Sequence, residues 1–261
     1  MRRFETMIGI FDSGVGGLTV YREVRSLLPR ADVLYLADRG NAPYGDRALD
    51  EVGAIAAACT RHLLAAGAST IVVACNAASA AALHQLRAQF PEVPFVGMEP
   101  ALKPAAAITR NQVIGILATA ATFQGELFAS LRDRYATGLE VITRACPGWA
   151  QLVESGTVDG PVAQAEVERN LRPVLDQGAD TLVLGCTHYP FLQQTIADIA
   201  GSQRPIIDPA PAVAAQVARV SPDTGGSGRM AIHSTADPAA TAAVIEKLTG
   251  IAVPVRAVTL P

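Results

Sequence analysis

Short apolar, β-branched runs recur along the chain, with helical patterns between them. They fall at 7–11, 32–36, 70–74 and 94–97, and again at 113–117, 139–143, 181–185 and 205–207. Continuous apolar runs of this length suit strands of a parallel sheet covered by helices on both faces. Between them the apolar positions take the helical period. Leu83, Leu86 and Phe90 share one face after Cys75, and Leu192, Ile196 and Ile199 share one after Cys186. Pro190 is expected in the first turn of that second helix, where a missing N–H costs little. The alternation predicts α/β units with right-handed crossovers.

The two groups of runs are copies of one unit, the first thing to seek in a chain. Residues 67–76 (GASTIVVACN) align with 178–187 (GADTLVLGCT) at an offset of 111 residues. The same offset aligns Pro94-Phe95-Val96-Gly97 with Pro205-Ile206-Ile207-Asp208. Further upstream, Ile8-Gly9-Ile10-Phe11 resembles Ile114-Gly115-Ile116-Leu117 at a slightly shorter offset. After Asp208-Pro209 a further helix places Val213, Val217 and Val220 on one face, and a loop follows over 221–228. The tail, 229–261, holds a strand, a helix starting at Asp237-Pro238 and a last strand, with no counterpart in the second copy. The expected organisation is therefore two pseudo-symmetric parallel-sheet domains with a cleft between them. The first comprises 1–98 plus 210–261, and the second 99–209.

Composition narrows the function classes. Half of the 261 residues are hydrophobic, with 22 Gly, 17 Pro and one Trp, as in a globular protein with a substantial core. The net charge of −3 offers no basic field for nucleic acid. The apolar run from Met7 to Phe11 is too short for a signal sequence, despite the opening Met1-Arg2-Arg3-Phe4, and nothing is long enough to span a membrane. A cytoplasmic protein with reduced thiols is expected. A homodimer is expected only because dimers are the commonest symmetric oligomers.

Four cysteines occur without CxxC spacing: Cys59, Cys75, Cys146 and Cys186. A lone cysteine at a strand end is ordinarily a small buried hydrophobe. Cys75 and Cys186, however, occupy the same register of the two copies, beside Asn76 and Thr187. Open parallel sheets bind ligands beyond the carboxyl ends of their strands. Each of the two is read as opening a helix, whose N-terminus favours thiolate. Facing copies would bring two thiols to opposite sides of one ligand. Racemisation needs that arrangement, because one base takes a proton from one face of a carbon and an acid returns one to the other. Cys59 and Cys146 lack this context and are read as structural. No metal is expected, since Cys75, Cys186 and His188 lack paired-ligand spacing.

The glycine-rich segment Asp12-Ser13-Gly14-Val15-Gly16-Gly17 lies between strand and helix. It lacks the P-loop lysine and the dinucleotide spacing of glycines. Its glycines are read as permitting a tight turn that presents Asp12 and Ser13 at the cleft; the plainer alternative is that Asp12 caps the next helix. An aspartyl phosphatase is disfavoured because position 14 is Gly rather than a second aspartate.

Taken together, these residues resemble the glutamate racemases, within the wider aspartate/glutamate racemase group. The resemblance rests on residues 8–18 (IGIFDSGVGGL), Ala37-Asp38 with Pro43-Tyr44-Gly45, Ala74-Cys75-Asn76, and Gly185-Cys186-Thr187-His188-Tyr189-Pro190. Weaker matches lie at 117–122 and at Leu152-Val153-Glu154-Ser155-Gly156. It covers nearly the whole chain. It implies cofactor-independent racemisation, with Cys75 acting on D-glutamate and Cys186 on L-glutamate, for bacterial peptidoglycan and the cell wall. Asp12 would assist Cys75, and His188 with Glu154 would assist Cys186. Substrate contacts are implied for Asp12, Ser13, Pro43, Tyr44, Gly45, Asn76, position 77, Thr119, Thr122, Thr187 and His188. The sequence departs from the family at Ala77, where a threonine is usual. That departure keeps open a racemase of aspartate or another acidic compound. A non-catalytic acidic-ligand binder is a third reading, against which the thiol pair argues. Read without the resemblance, His188 could be a helix-start residue, Tyr44 a turn aromatic, Glu154 a solvated helix residue, and Thr119 and Thr122 helix caps.

Overall fold

The computed structural model describes residues 7–124, 126–221 and 225–260. The opening 1–6 and positions 222–224 of the expected loop lie outside the described residues. All eight apolar runs are strands: β1 (Met7–Asp12), β2 (Asp32–Ala37), β3 (Ala68–Val73), β4 (Phe95–Gly97), β5 (Val113–Ala118), β6 (Glu140–Ala145), β7 (Thr181–Gly185) and β8 (Ile206–Ile207). The tail adds β9 (Met230–Ser234) and β10 (Val255–Ala257). Helices α1 (Leu18–Leu27), α2 (Leu49–Ala65), α3 (Asn76–Gln89) and α4 (Leu102–Ile108) lie in the first part of the chain. They are followed by α5 (Ala120–Gln124), α6 (Glu126–Tyr135), α7 (Trp149–Glu154), α8 (Gly160–Asp176) and α9 (Gln193–Ala200). The last two are α10 (Ala210–Val220) and α11 (Pro238–Thr249).

The strands form two parallel sheets, in the orders β10-β9-β2-β1-β3-β4 and β6-β5-β7-β8. The second repeats the β2-β1-β3-β4 portion of the first strand for strand, so the sequence repeat is a topological repeat. The chain crosses between the sheets after β4 and again after β8; α10 packs on α1 and the tail strands extend the first sheet beyond β2. No described helix is long and apolar enough to cross a membrane.

The repeated Ile-Gly-Ile has a packing cause. A Cβ on Gly9 would stand 2.9 Å from Ala68 Cβ and 3.1 Å from Leu63 Cβ on α2, and one on Gly115 would stand 2.4 Å from Val174 Cγ1 on α8. Glycine in the central strand lets a helix lie close against it in each copy. The flanking Ile8, Ile10, Ile114 and Ile116 are buried in the core on either side. Fully burying such a side chain is worth roughly 1.5–3 kcal/mol.

In each sheet the chain leaves the central strand to one side and returns on the other. The carboxyl ends of β1 and β3, and of β5 and β7, therefore diverge into crevices, where open α/β sheets bind ligands. Ser13 and Cys75 occupy the first crevice, and Thr119 and Cys186 the second.

Candidate active site

Cys75 is the residue before α3, in extended conformation, and its sulfur lies 3.9 Å from Ser13 Oγ. Burial pushes its thiol up, and the nearby Asp12 charge adds to that, against the Ala78 N–H that points at the sulfur. The helix N-terminus is thus where the sequence implies, but desolvation outweighs its preference for thiolate.

Cys186 is placed differently. It does not open an α-helix: a turn and a 3₁₀ segment, Tyr189–Leu192, precede α9. Pro190 falls in that 3₁₀ turn, which packs against α7. Cys186 instead meets an imidazole, with His188 Nδ1 3.7 Å from its sulfur. His188 Nε2 lies 2.8 Å from Glu154 Oε1, which also accepts the Val15 N–H at 2.7 Å. An ionised carboxylate only accepts, so Nε2 carries a proton and Nδ1 is left to the thiol. Burial alone would lower the His188 pKa; the bonds to Cys186 and Glu154 and the Asp12 charge raise it well above the ordinary value. Burial would raise Glu154, yet His188, the Val15 N–H and Arg39 bring its carboxyl down to about 2.

The two thiols line one cavity of about 170 Å³, together with Ser13, Pro43, Tyr44, Gly45, Asn76, Ala77, Thr119, Thr122 and His188. That is smaller than a drug-sized pocket. Among the described residues no lysine or arginine lines it, and Asp46 is its one carboxylate. An anionic ligand would be held by hydroxyls, an amide and backbone N–H groups. Asn76 is buried and both polar atoms of its amide are without a partner. Thr119 and Thr122 share a hydrogen bond between hydroxyls at 3.0 Å. Gly45 closes the cleft against the second sheet: its carbonyl accepts the Ala121 N–H, and a Cβ there would meet Thr119 Cβ at 2.9 Å. Tyr44 turns its hydroxyl away, donating at 2.5 Å to the buried Asp38.

Other residues stand elsewhere than the sequence suggests. Asp12 and Thr187 lie behind the cavity wall, both buried, with Thr187 Oγ1 3.4 Å from Asp12 Oδ1. Asp12 Oδ2 accepts the Gly17 N–H at 2.9 Å at the start of α1, so a capping role is present. Burial raises the Asp12 pKa, more than the His188 charge and the Gly17 N–H lower it. Gly14, Gly16 and Gly17 have no left-handed backbone. Their lack of a Cβ makes room instead: a Cβ on Gly16 would stand 2.3 Å from His188 Nδ1, and one on Gly14 would stand 1.9 Å from Glu154 Oε1. Cys59 is buried against the Tyr44 hydroxyl at 3.8 Å, away from the cavity. Cys146, read as structural, lines the cavity. It follows β6 as Asp38 follows β2, so the repeat register was a signal for it. Burial raises its thiol, and its sulfur lies 3.5 Å from the Arg144 carbonyl.

Residues 8–217 match the family model described as Asp/Glu/Hydantoin racemase. A glutamate racemase of Roseiflexus sp. (strain RS-1) is 50% identical over 248 residues, 92% of this chain and 91% of that one. The crystal structure of a glutamate racemase isoform from Bacillus anthracis superimposes with a TM-score of 0.90 at 30% identity, covering 99% of each chain. That of a glutamate racemase from Francisella tularensis in complex with D-glutamate gives 0.84 at 25% identity, covering 98% of each. The chain belongs to the Asp/Glu/Hydantoin racemase family and, within it, to the glutamate racemases.

Proposed function

We propose that the protein interconverts L- and D-glutamate by proton transfer between two cysteines, using only its own side chains. The observation that carries this is the pair Cys75 and Cys186, at matched strand ends, lining one small cavity. In the L-to-D direction the Cys186 thiolate takes the α-proton, breaking the C–H bond and forming S–H. The electron pair is delocalised into the substrate carboxyl group. The Cys75 thiol then gives its proton to the opposite face of the same carbon. The enzyme is left with the two protonation states exchanged, ready for the reverse reaction.

His188 faces Cys186 and stabilises the thiolate as its imidazolium partner, oriented by Glu154. Ser13, beside Cys75, and Asp12 behind it serve the other face. The side-chain amide of Asn76 and the hydroxyls of Ser13, Thr119 and Thr122 bind the substrate's polar groups. The backbone of Pro43-Tyr44-Gly45 and the α3 start at Ala77 complete the wall. Helix starts of this kind suit carboxylates. Glutamate is favoured over aspartate because relatives 50% and 47% identical to this chain are named glutamate racemases. The D-glutamate would serve peptidoglycan synthesis in the cytoplasm. The functional units are 1–98 with 210–261, and 99–209, with the reaction between them.

Incubating the purified protein with L-glutamate, no cofactor added, should bring the optical rotation to zero. Rotation lost with aspartate but not glutamate would move the substrate to aspartate. Stable rotation with both would leave a racemase of another acidic compound or a binding protein.

A further inference from the structure

Arg39 opens the short 3₁₀ turn Arg39–Asn41 just past β2. Its side chain spans from the first sheet to α7 and the tail helix α11. Nε donates to Glu154 Oε2 at 2.6 Å, one terminal nitrogen donates to the Glu154 backbone carbonyl at 3.1 Å, and the other donates to Thr241 Oγ1 at 3.2 Å. The Arg39 and Glu154 side chains are only 15% and 19% exposed. A planar fork of this kind fixes a carboxylate's orientation as well as neutralising it.

The consequence lies in how the carboxylate is shared. Oε1 of Glu154 is occupied by the Val15 N–H and His188. The terminal torsion of a glutamate is broad, so a carboxylate held by one oxygen can rotate. With Oε2 and the main-chain carbonyl both held by Arg39, it is fixed, and the imidazole it orients is fixed against Cys186. The other arm is built differently: Cys75 has Ser13 Oγ at 3.9 Å and the Ala78 N–H.

We propose that Arg39 is a positioning residue for the Cys186 half-reaction, acting through Glu154 and His188. This rests on the two-cysteine reading above. It makes the completion of the L-specific arm depend on contact between the two sheets and the tail helix.

The test separates the two half-reactions. Because the equilibrium constant of a racemisation is one, kcat/KM must fall equally in both directions, and the loss alone says nothing about which arm is affected. Primary isotope effects do. If the Cys186 step is slowed, the effect on kcat/KM with 2-deuterated L-glutamate rises, since that step becomes more rate-limiting. The effect with 2-deuterated D-glutamate falls, since the Cys75 step becomes reversible. Arg39→Met should lower kcat/KM about 10–100-fold, the ordinary range for a partner that orients a functional ligand. It should also shift the two isotope effects in those opposite directions. Arg39→Lys, which keeps the charge but loses the fork, should recover part of the rate and show a smaller shift of the same sign. Should Arg39→Met not fold, Arg39→Lys carries the test alone. Isotope effects that stay in the wild-type ratio, with or without loss of rate, overturn the proposal while leaving the two-cysteine reading intact. A wild-type protein inert towards glutamate overturns both.

Discussion

Glu154 and His188 are joined Oε1 to Nε2 at 2.8 Å, across a contact that also includes the N–H of Val15 from the glycine-rich loop. The bond ties the end of α7 to the turn after β7 and to the first sheet. One carboxylate thereby serves both the chemistry of Cys186 and the closure of the two sheets on each other.

That bond has a pH signature. The Glu154 carboxyl goes from 4.5 to about 2 on folding, so its contribution to stability is present above pH 4.5 and lost as the pH falls towards 2. His188 is raised above 6.5, so its contribution is complete below pH 6.5 and lost as the pH rises through its folded value. Between pH 4.5 and 6.5 both are intact. Glu154→Gln should cost about 3 kcal/mol in that window. Denaturant melts of wild type and variant should converge as the pH falls from 4.5 to 3. A difference that stays constant over that range would show that the ion pair is not its source.

Gly16 is the second place where the arm can be broken. A methyl there would stand 2.3 Å from His188 Nδ1, the atom that faces Cys186. Gly16→Ala should cost about 1–3 kcal/mol of stability from overpacking, and should lower kcat by displacing the imidazole. Thermal melts with steady-state rates check both, and unaltered turnover would place the imidazole outside the reaction.

The four thiols should divide sharply. Cys75→Ala and Cys186→Ala should each reduce turnover about 10²–10⁴-fold, the usual contribution of a positioned acid or base. Cys59→Ala should leave it near wild type, because Cys59 packs under Tyr44 away from the cavity. Cys146→Ala should do so as well, although Cys146 lines the cavity, because its thiol proton is directed to the Arg144 carbonyl. Racemisation assays on the folded variants check this. A Cys146 variant as impaired as Cys186→Ala would require a third thiol in the mechanism.

Much of this was legible in the chain. Short, mostly apolar runs with helical spacing between them suit parallel strands covered by helices, so all eight strands of the repeat could be placed, including the edge strand β6, whose run carries Glu140 and Thr143. The 111-residue repeat put Cys75 and Cys186 at equivalent strand ends. Contacts between distant segments were harder to read. The Arg39–Glu154–His188 chain joins a 3₁₀ turn, the end of α7 and the turn after β7, segments far apart in sequence. Gly14 and Gly16 look like turn glycines, and only their neighbours across the cleft show that they are empty space for Glu154 and His188. The helix expected directly after Cys186 failed locally, because Pro190 suits a 3₁₀ turn as readily as the first turn of an α-helix.

Ala77, where the family resemblance implies a threonine, is buried in the cavity wall beside the unpartnered Asn76 amide. Restoring the hydroxyl should add a hydrogen bond to the substrate worth about 0.5–1.5 kcal/mol. A gain made equally in ground and transition states lowers KM and leaves kcat little changed. Ala77→Thr should therefore show a reduced KM for glutamate. An unchanged or raised KM would mean that the site has repacked around the alanine.

The central claim is that the α-proton leaves to one thiol and a different proton returns from the other. Racemisation of L-glutamate in heavy water, stopped early and read by mass spectrometry of the separated enantiomers, tests this directly. The account predicts that the D-glutamate carries deuterium at the α-carbon, while the remaining L-glutamate has largely kept its hydrogen. D-Glutamate that retains the original hydrogen would contradict two separate bases.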